Sequence, residues 1–237
     1  MPRPDAATPP AWARPPADGR PSIRTVGPQR GRLLASHTET WDRLAPHLIV
    51  DVAWVVATST AGPILLDVGA GDGVSTVAMA EADLATQHVA VEVHRPGIVR
   101  LLRSVEERGL TNVRVVEGDV WDLLTTLKPG SIAAVQCCFP DPWPKARHRC
   151  RRLVQPAFVS RVADLLVPGG ELRLATDWAE YADGMRAAVL AEPRLAPDLS
   201  ADGWSPRFAG RPVTTYERRG LLAGRPPRDV RARRVGA

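Results

Sequence analysis

From Pro63 onward the chain alternates short apolar runs with longer stretches of mixed character. The runs at 64–68, 89–93, 113–116, 132–139 and 171–176 have the length and apolar texture of strands buried on both faces. Between them, residues 74–81, 95–108, 120–127, 151–166 and 179–191 read as helices. Five strand-then-helix units in succession predict an α/β fold: a doubly wound, mostly parallel sheet with helices on both faces. Pro168-Gly169-Gly170 is a turn into the fifth strand. Upstream, Trp41, Leu44 and Leu48 recur at spacings of three and four, which predicts one helix over about 36–51. After Pro193 the pattern loosens through Pro- and Gly-containing loops, and 229–235 reads as a last, antiparallel strand at the sheet edge.

The first 28 residues carry Pro9-Pro10 and Pro15-Pro16 and no apolar periodicity, so 1–28 read as a disordered Pro/Arg-rich leader. Residues 29–237 then form one domain with a basic, helical N-terminal extension, without an internal repeat. The chain's 237 residues suffice for one α/β domain with a well-buried core and extensions at either end. The balance of 31 Lys+Arg against 26 Asp+Glu gives a net charge of +5, which permits a nucleic-acid partner without requiring one. Three cysteines without C-x-x-C spacing suit a reducing compartment. With neither a membrane-spanning apolar run nor an apolar N-terminal signal, the expected location is the cytoplasm. Nothing here indicates oligomeric state.

The first strand ends in Asp67-Val68-Gly69-Ala70-Gly71-Asp72-Gly73 and leads at once into a helix. In a doubly wound sheet, ligands sit outside the carboxyl ends of the strands, where strand order reverses. A dinucleotide fingerprint would carry glycine where Val74 stands, and Asp67 would repel a pyrophosphate. An acidic strand end suits a cation, and a sulfonium nucleoside bearing an amino acid fits. Glu92 ends the second strand, placed to accept both ribose hydroxyls. Asp119 follows the third strand, placed to meet the adenine amino group. A blander reading has Glu92 and Asp119 merely capping the helices that follow.

After the fourth strand comes Phe139-Pro140-Asp141-Pro142-Trp143-Pro144-Lys145. Prolines flanking Asp141 and Trp143 stiffen the backbone, as holding one side chain beside a reacting group demands. Should a guanine enter here, the free lone pair on its N7 would attack a methyl without a general base. Asp141 can accept from the two donors on the guanine Watson–Crick edge and favour the positive charge developing on the purine. Arg147, Arg149, Arg151 and Arg152 form a dense basic run suited to nucleic-acid phosphates, or alternatively a solvated helix face. His148 has no partner at ligand spacing, so no metal site is expected.

With these segments, together with Glu92-Val93-His94-Arg95-Pro96-Gly97, Ala175-Thr176-Asp177-Trp178 and the stretch from Arg211 to Gly220, the chain resembles the bacterial tRNA (guanine-N7-)-methyltransferase family from about Arg30 to the C-terminus. The resemblance implies a Rossmann-like class I methyltransferase fold, S-adenosyl-L-methionine as cofactor and tRNA as partner. Its implied target is the variable-loop guanosine at position 46, converted to 7-methylguanosine by in-line displacement. It implies cofactor contacts at Asp67, Gly69, Gly71, Glu92 and Asp119, and Asp141 as the catalytic carboxylate. Substrate contacts are implied at Asp141, Lys145, Asp177, Thr214, Thr215, Tyr216 and Glu217, the last four forming a late loop that closes over the base. The chain departs from the family in carrying Asp67 where Glu is frequent, and Thr215 and Tyr216 where a basic residue and Phe are common.

Two rivals are weaker. A methyltransferase acting on an exocyclic amine would carry an Asn/Asp-Pro-Pro-aromatic motif, where this chain reads Asp-Pro-Trp. A non-catalytic tRNA-binding protein on the same scaffold would more readily have lost an acidic strand end or Asp141, and all are present. Arg225, Arg228, Arg231, Arg233 and Arg234 either touch RNA or keep the last strand soluble.

Overall fold

The computed structural model describes residues 35–208 and 210–236. The expected leader, 1–28, lies outside them. A seven-stranded sheet of order β3-β2-β1-β4-β5-β7-β6 forms the middle layer. Strands β1 (Ile64–Val68), β2 (Gln87–Glu92), β3 (Val113–Glu117), β4 (Ile132–Cys138) and β5 (Leu166–Thr176) run parallel. The order reverses between β1 and β4, so the carboxyl ends of these two strands open a crevice. Strands β6 (Leu195–Pro197) and β7 (Arg228–Arg234) are antiparallel additions. The expected last strand exists, but it lies between β5 and β6. The short β6, hidden in the Pro-rich stretch, is the true edge.

Helices α3 (Val74–Ala82), α4 (Arg95–Glu107), α5 (Val120–Thr126) and α6 (Pro156–Leu165) connect the parallel strands, and α7 (Ala179–Ala191) leads from β5 to β6. One apolar cluster gathers α5, α6 and α7 against the sheet around Leu66, Val135, Phe158 and Tyr181. A second gathers α3 and α4 with Leu44 around Ile98, Leu101 and Val115. β1 is buried at all five positions, which is why it reads as an unbroken apolar run.

The expected single helix over 36–51 is two. α1 (Ala35–Leu48) ends before Ile49, which forms a parallel bridge to Val115 beside the sheet, with Val50 N–H donating to the Val115 carbonyl. Asp51 then caps α2 (Val52–Thr58), accepting from Trp54 N–H at 2.8 Å. The helix expected from Arg151 also starts later. Residues Ala146–Arg151 are a 3-10 turn, and Pro156 opens α6. At 215–222 a helix, α8 (Thr215–Leu222), stands where a closing loop was expected. Among the described residues no helix is long and apolar enough to cross a membrane.

Asn112 ties α3 to the sheet. Its buried amide nitrogen lies 3.0–3.1 Å from the carbonyl oxygens of Ala80, Asp83 and Thr86. Replacing it strands those acceptors far from the crevice. Asn112→Ala is expected to cost about 1–3 kcal/mol in urea unfolding while leaving ligand binding unchanged. A loss below the error of the measurement would mean water replaces the amide.

Candidate functional site

Left-handed backbone at Gly69, Gly71 and Gly73 (φ 72°, 61° and 77°) turns the chain sharply from β1 into α3. A methyl on Gly73 would meet Leu101 Cδ1 at 2.2 Å, so this turn also requires glycine for packing. The loop is held from β2. Glu92 Oε2 accepts from Gly71 N–H at 2.8 Å, and its Oε1 accepts from Val93 and His94 N–H at 2.7 and 2.9 Å. Gly97, at the start of α4, supplies room for this arrangement, since a methyl there would stand 2.6 Å from the Gly71 carbonyl oxygen. The sequence pattern includes Gly97 but gives it no role. Only the close approach of two backbones reveals one.

Together these turns enclose a cavity of about 390 Å³ at the reversal point of the sheet. Asp67, Gly69, Gly71, Glu92 and Asp119 all line it. Asp67 is buried in the floor, accepting from Thr76 Oγ1 at 2.5 Å. Burial pushes its carboxyl up to about 6, against the pull of the hydrogen bond from Thr76. Asp119 does two things at once. Its Oδ1 caps α5 by accepting from Trp121 N–H at 3.0 Å, while its buried Oδ2 has no hydrogen-bond partner among the described residues. The helix-capping reading therefore accounts for only half of the carboxylate, and the other half is an acceptor awaiting a donor. Acidic walls and an orphaned acceptor fit a cationic ligand with an amino-bearing base.

Asp141, exposed at the mouth, lines the same cavity. The protein behind it and the charge of Glu92 hold its carboxyl above the ordinary range. Its loop is strained as well as rigid: Phe139 and Trp143 both adopt positive φ, 55° and 42°. Arg151 lies over the Trp143 ring at 4.9 Å and also lines the cavity. Lys145 and Arg147 are exposed beside it without acidic partners among the described residues, whereas Arg149 pairs with Glu180 at 2.8 Å. Arg152 departs from expectation. Its side chain is buried, with Nε donating to the Pro142 carbonyl at 2.8 Å and the guanidinium stacked on Tyr181. It braces the loop from beneath and is not placed to meet phosphates.

Thr214 and Tyr216 line the cavity from the start of α8. Thr214 caps that helix and Thr215 is exposed on its first turn. Glu217 faces the other way, buried between Arg207 and Arg211. Asp177 accepts from Arg225 Nε at 2.8 Å and packs at Gly220, away from the cavity wall. Arg218 and Arg219 of α8, to which the sequence pattern assigns no role, are exposed with no acidic partner among the described residues. The more C-terminal arginines are mostly neutralised: Arg225 by Asp177, Arg228 by Asp183, and Arg231 and Arg233 by Glu171. Among the described residues no group of three or more His, Cys, Asp or Glu could hold a metal.

Residues 61–229 match the family model described as "Putative methyltransferase". The tRNA (guanine-N(7)-)-methyltransferase of Halorhodospira halophila is 42% identical over 214 residues, spanning 87% of this chain and 93% of the relative. That of Nocardioides sp. is 41% identical over 213 residues, spanning 89% and 84%.

This chain belongs to the tRNA (guanine-N(7)-)-methyltransferase family.

Solved structures agree on the fold. An rRNA methylase from Streptococcus thermophilus has a TM-score of 0.50 at 14% identity, over 78% of this chain and 94% of that one. The antibiotic-resistance methyltransferase Kmr has a TM-score of 0.50 at 19% identity, over 79% and 94%.

Three outcomes are expected from this geometry. Gly97→Ala should push the glycine turn out of place and weaken S-adenosylmethionine binding about tenfold or more in calorimetry. Unchanged affinity would show that α4 yields instead. Because the Asp67 carboxyl is raised to about 6, affinity for the cationic cofactor should be flat above about pH 7. It should fall up to about tenfold per unit below 6, where the protonated form must first ionise. For the free protein the sign is opposite. A raised carboxyl contributes stability that is full below its unfolded value of about 3.9 and is lost as pH rises through about 6. Asp67→Asn should therefore melt no lower than the parent at pH 7 while losing cofactor affinity.

Proposed function

We propose that this chain transfers the methyl group of S-adenosylmethionine to N7 of a guanine in tRNA, with the variable-loop guanosine as target. The observation that carries this reading is one cavity in which acidic strand ends suited to a sulfonium nucleoside meet the strained, proline-locked loop of Asp141, in a chain of the tRNA (guanine-N(7)-)-methyltransferase family.

When bound, S-adenosylmethionine supplies an electrophilic methyl carbon whose bond to sulfur breaks with the electron pair staying on sulfur. The protein's own groups then have three tasks. Asp67, Glu92 and Asp119 hold the cofactor by its charge, its ribose and its adenine amine. Asp141 accepts from the guanine N1–H and amino group, which selects guanine over adenine and orients N7. Because N7 attacks with a free lone pair, no proton has to leave and no general base is required. Positive charge passes from the sulfonium to the purine, and the Asp141 carboxylate favours the product side of that transfer. Thr214 and Tyr216 form the wall nearest the glycine turn, where the ring of Tyr216 approaches Gly71.

Phosphate contacts fall to the cations that the fold leaves unpaired at the rim: Lys145, Arg147 and Arg151 beside Trp143, and Arg218 and Arg219 on α8. Arg149, tied to Glu180, contributes less, and Arg152 acts on the loop.

Labelled methyl should pass from S-adenosylmethionine to unmodified tRNA and not to a transcript with the variable-loop G replaced by A. Label on both would retain the transferase and reject the site. Asp141→Asn should lower kcat by about 100-fold with cofactor affinity unchanged. Charge reversal at Arg147, Arg151, Arg218 and Arg219 should flatten the salt dependence of tRNA binding, its slope falling by roughly one unit for each arginine that meets a phosphate. An unaltered slope would make these arginines ordinary solvated residues.

A further inference from the structure

A buried ionic cluster lies behind the cavity wall. The Arg211 side chain is fully buried, its Nη1 donating to Glu217 Oε2 at 2.9 Å and its Nη2 to both oxygens of Asp229 at 3.0 and 2.8 Å. Arg207 closes the cluster by pairing with Glu217 and donating from Nη2 to the Arg211 carbonyl at 2.8 Å. Two arginines thus balance two carboxylates. Glu217 is only 2% exposed and both its oxygens are taken, so a base entering the cavity cannot reach it.

The cluster touches three elements that meet at the site. Glu217 belongs to α8, whose start carries the cavity-lining Thr214 and Tyr216. Asp229 belongs to β7 and pairs in register with Ala175 of β5, whose carbonyl accepts the Phe139 N–H at 2.7 Å. Arg211 itself lies over the Phe139 ring at 5.3 Å, with Phe208 at 5.7 Å. Phe139 is the first of the two left-handed residues that shape the Asp141 loop. Arg152 holds the same loop at Pro142.

We propose that Arg211 is a positioning residue that locks the Asp141 loop and the start of α8 into one rigid unit, and that Glu217 acts on methyl transfer through Arg211 without touching the base. This rests on the methyl-transfer reading above and replaces the direct substrate contact that the family resemblance implies for Glu217.

The test uses the full chain and the variants Arg211→Lys, Glu217→Gln and the double, with Asp229→Asn as a further break in the cluster should Arg211→Lys not fold. Amide hydrogen exchange is read first. Either single variant should lower protection by about tenfold both at the Phe139 amide, whose N–H is bonded to the Ala175 carbonyl, and in segment 214–222, two regions far apart in sequence. Loosening confined to 214–222 would overturn the proposal, whatever the activity. In methyl transfer, each single variant should lower kcat by about 10- to 100-fold with cofactor Kd changed less than about threefold, and the double should be no worse than the poorer single. Multiplying losses, or a rise in KM for tRNA specific to Glu217→Gln, would assign Glu217 a direct contact and also overturn it. If the parent chain transfers no methyl to tRNA, the substrate reading fails, while the exchange result still decides the coupling.

Discussion

A carboxylate holding backbone amides is the interaction on which the crevice depends. Glu92 ends a strand and accepts hydrogen bonds from Gly71, Val93 and His94, fixing the glycine turn relative to β2. Charge-assisted bonds of this kind are stronger than neutral ones, and here they act on three residues of the cavity wall. The turn can come close only because Gly97 lacks a side chain, and α3 can start where it does only because Gly73 lacks one. Asp67 and Asp119 then find themselves at fixed positions around a space whose walls are already negative. A site assembled this way is ready for a cation before the ligand arrives, which lowers the ordering cost of binding.

The order of strands and helices was legible because buried parallel strands write themselves as unbroken apolar runs, and β1 is the clearest case. Position in the sheet was not. β7 carries arginines along much of its length, the texture of an exposed edge, yet it is inserted between β5 and β6. Pairing of those arginines with Glu171 and Asp198 makes that possible. Ion pairs between residues some sixty positions apart leave no local trace (Glu171 with Arg231 and Arg233). The break between α1 and α2 was hidden for the opposite reason, since Ile49 and Val50 continue an apolar pattern while their backbone turns to the sheet.

For the site, residue type and strand-end placement sufficed to locate the acidic wall and Asp141, because topology carries strand ends to one crevice. Orientation was beyond reach. Arg151 and Arg152 are neighbours of identical chemistry, yet one lies over Trp143 at the cavity and the other is buried beneath it. Glu217 and Tyr216 likewise point to different faces of α8, since adjacent helical residues lie about 100° apart. The N-terminal turn of that helix therefore divides its labour: Thr214 and Tyr216 toward the cavity, Glu217 toward the interior.

The loop of Asp141 shows why a site needs so much behind it. Left-handed backbone at two bulky aromatic residues costs roughly 1–3 kcal/mol apiece, and such strain persists only where surroundings over-determine it. Prolines restrict the dihedral angles between the two strained residues but cannot choose among the conformations that remain. Two buried guanidiniums do. Arg152 holds the Pro142 carbonyl from one side, and Arg211 lies on Phe139 from the other. Arginine is suited to both tasks because its planar group combines a fixed fork of donors at its edge with a flat face for stacking, a combination that lysine's point-like ammonium lacks. Two cations are thereby withdrawn from RNA binding in a chain whose net charge is only +5. In the reaction proposed above, which needs no proton transfer and draws much of its rate from the orientation of N7, precision in the loop is worth more than two further phosphate contacts.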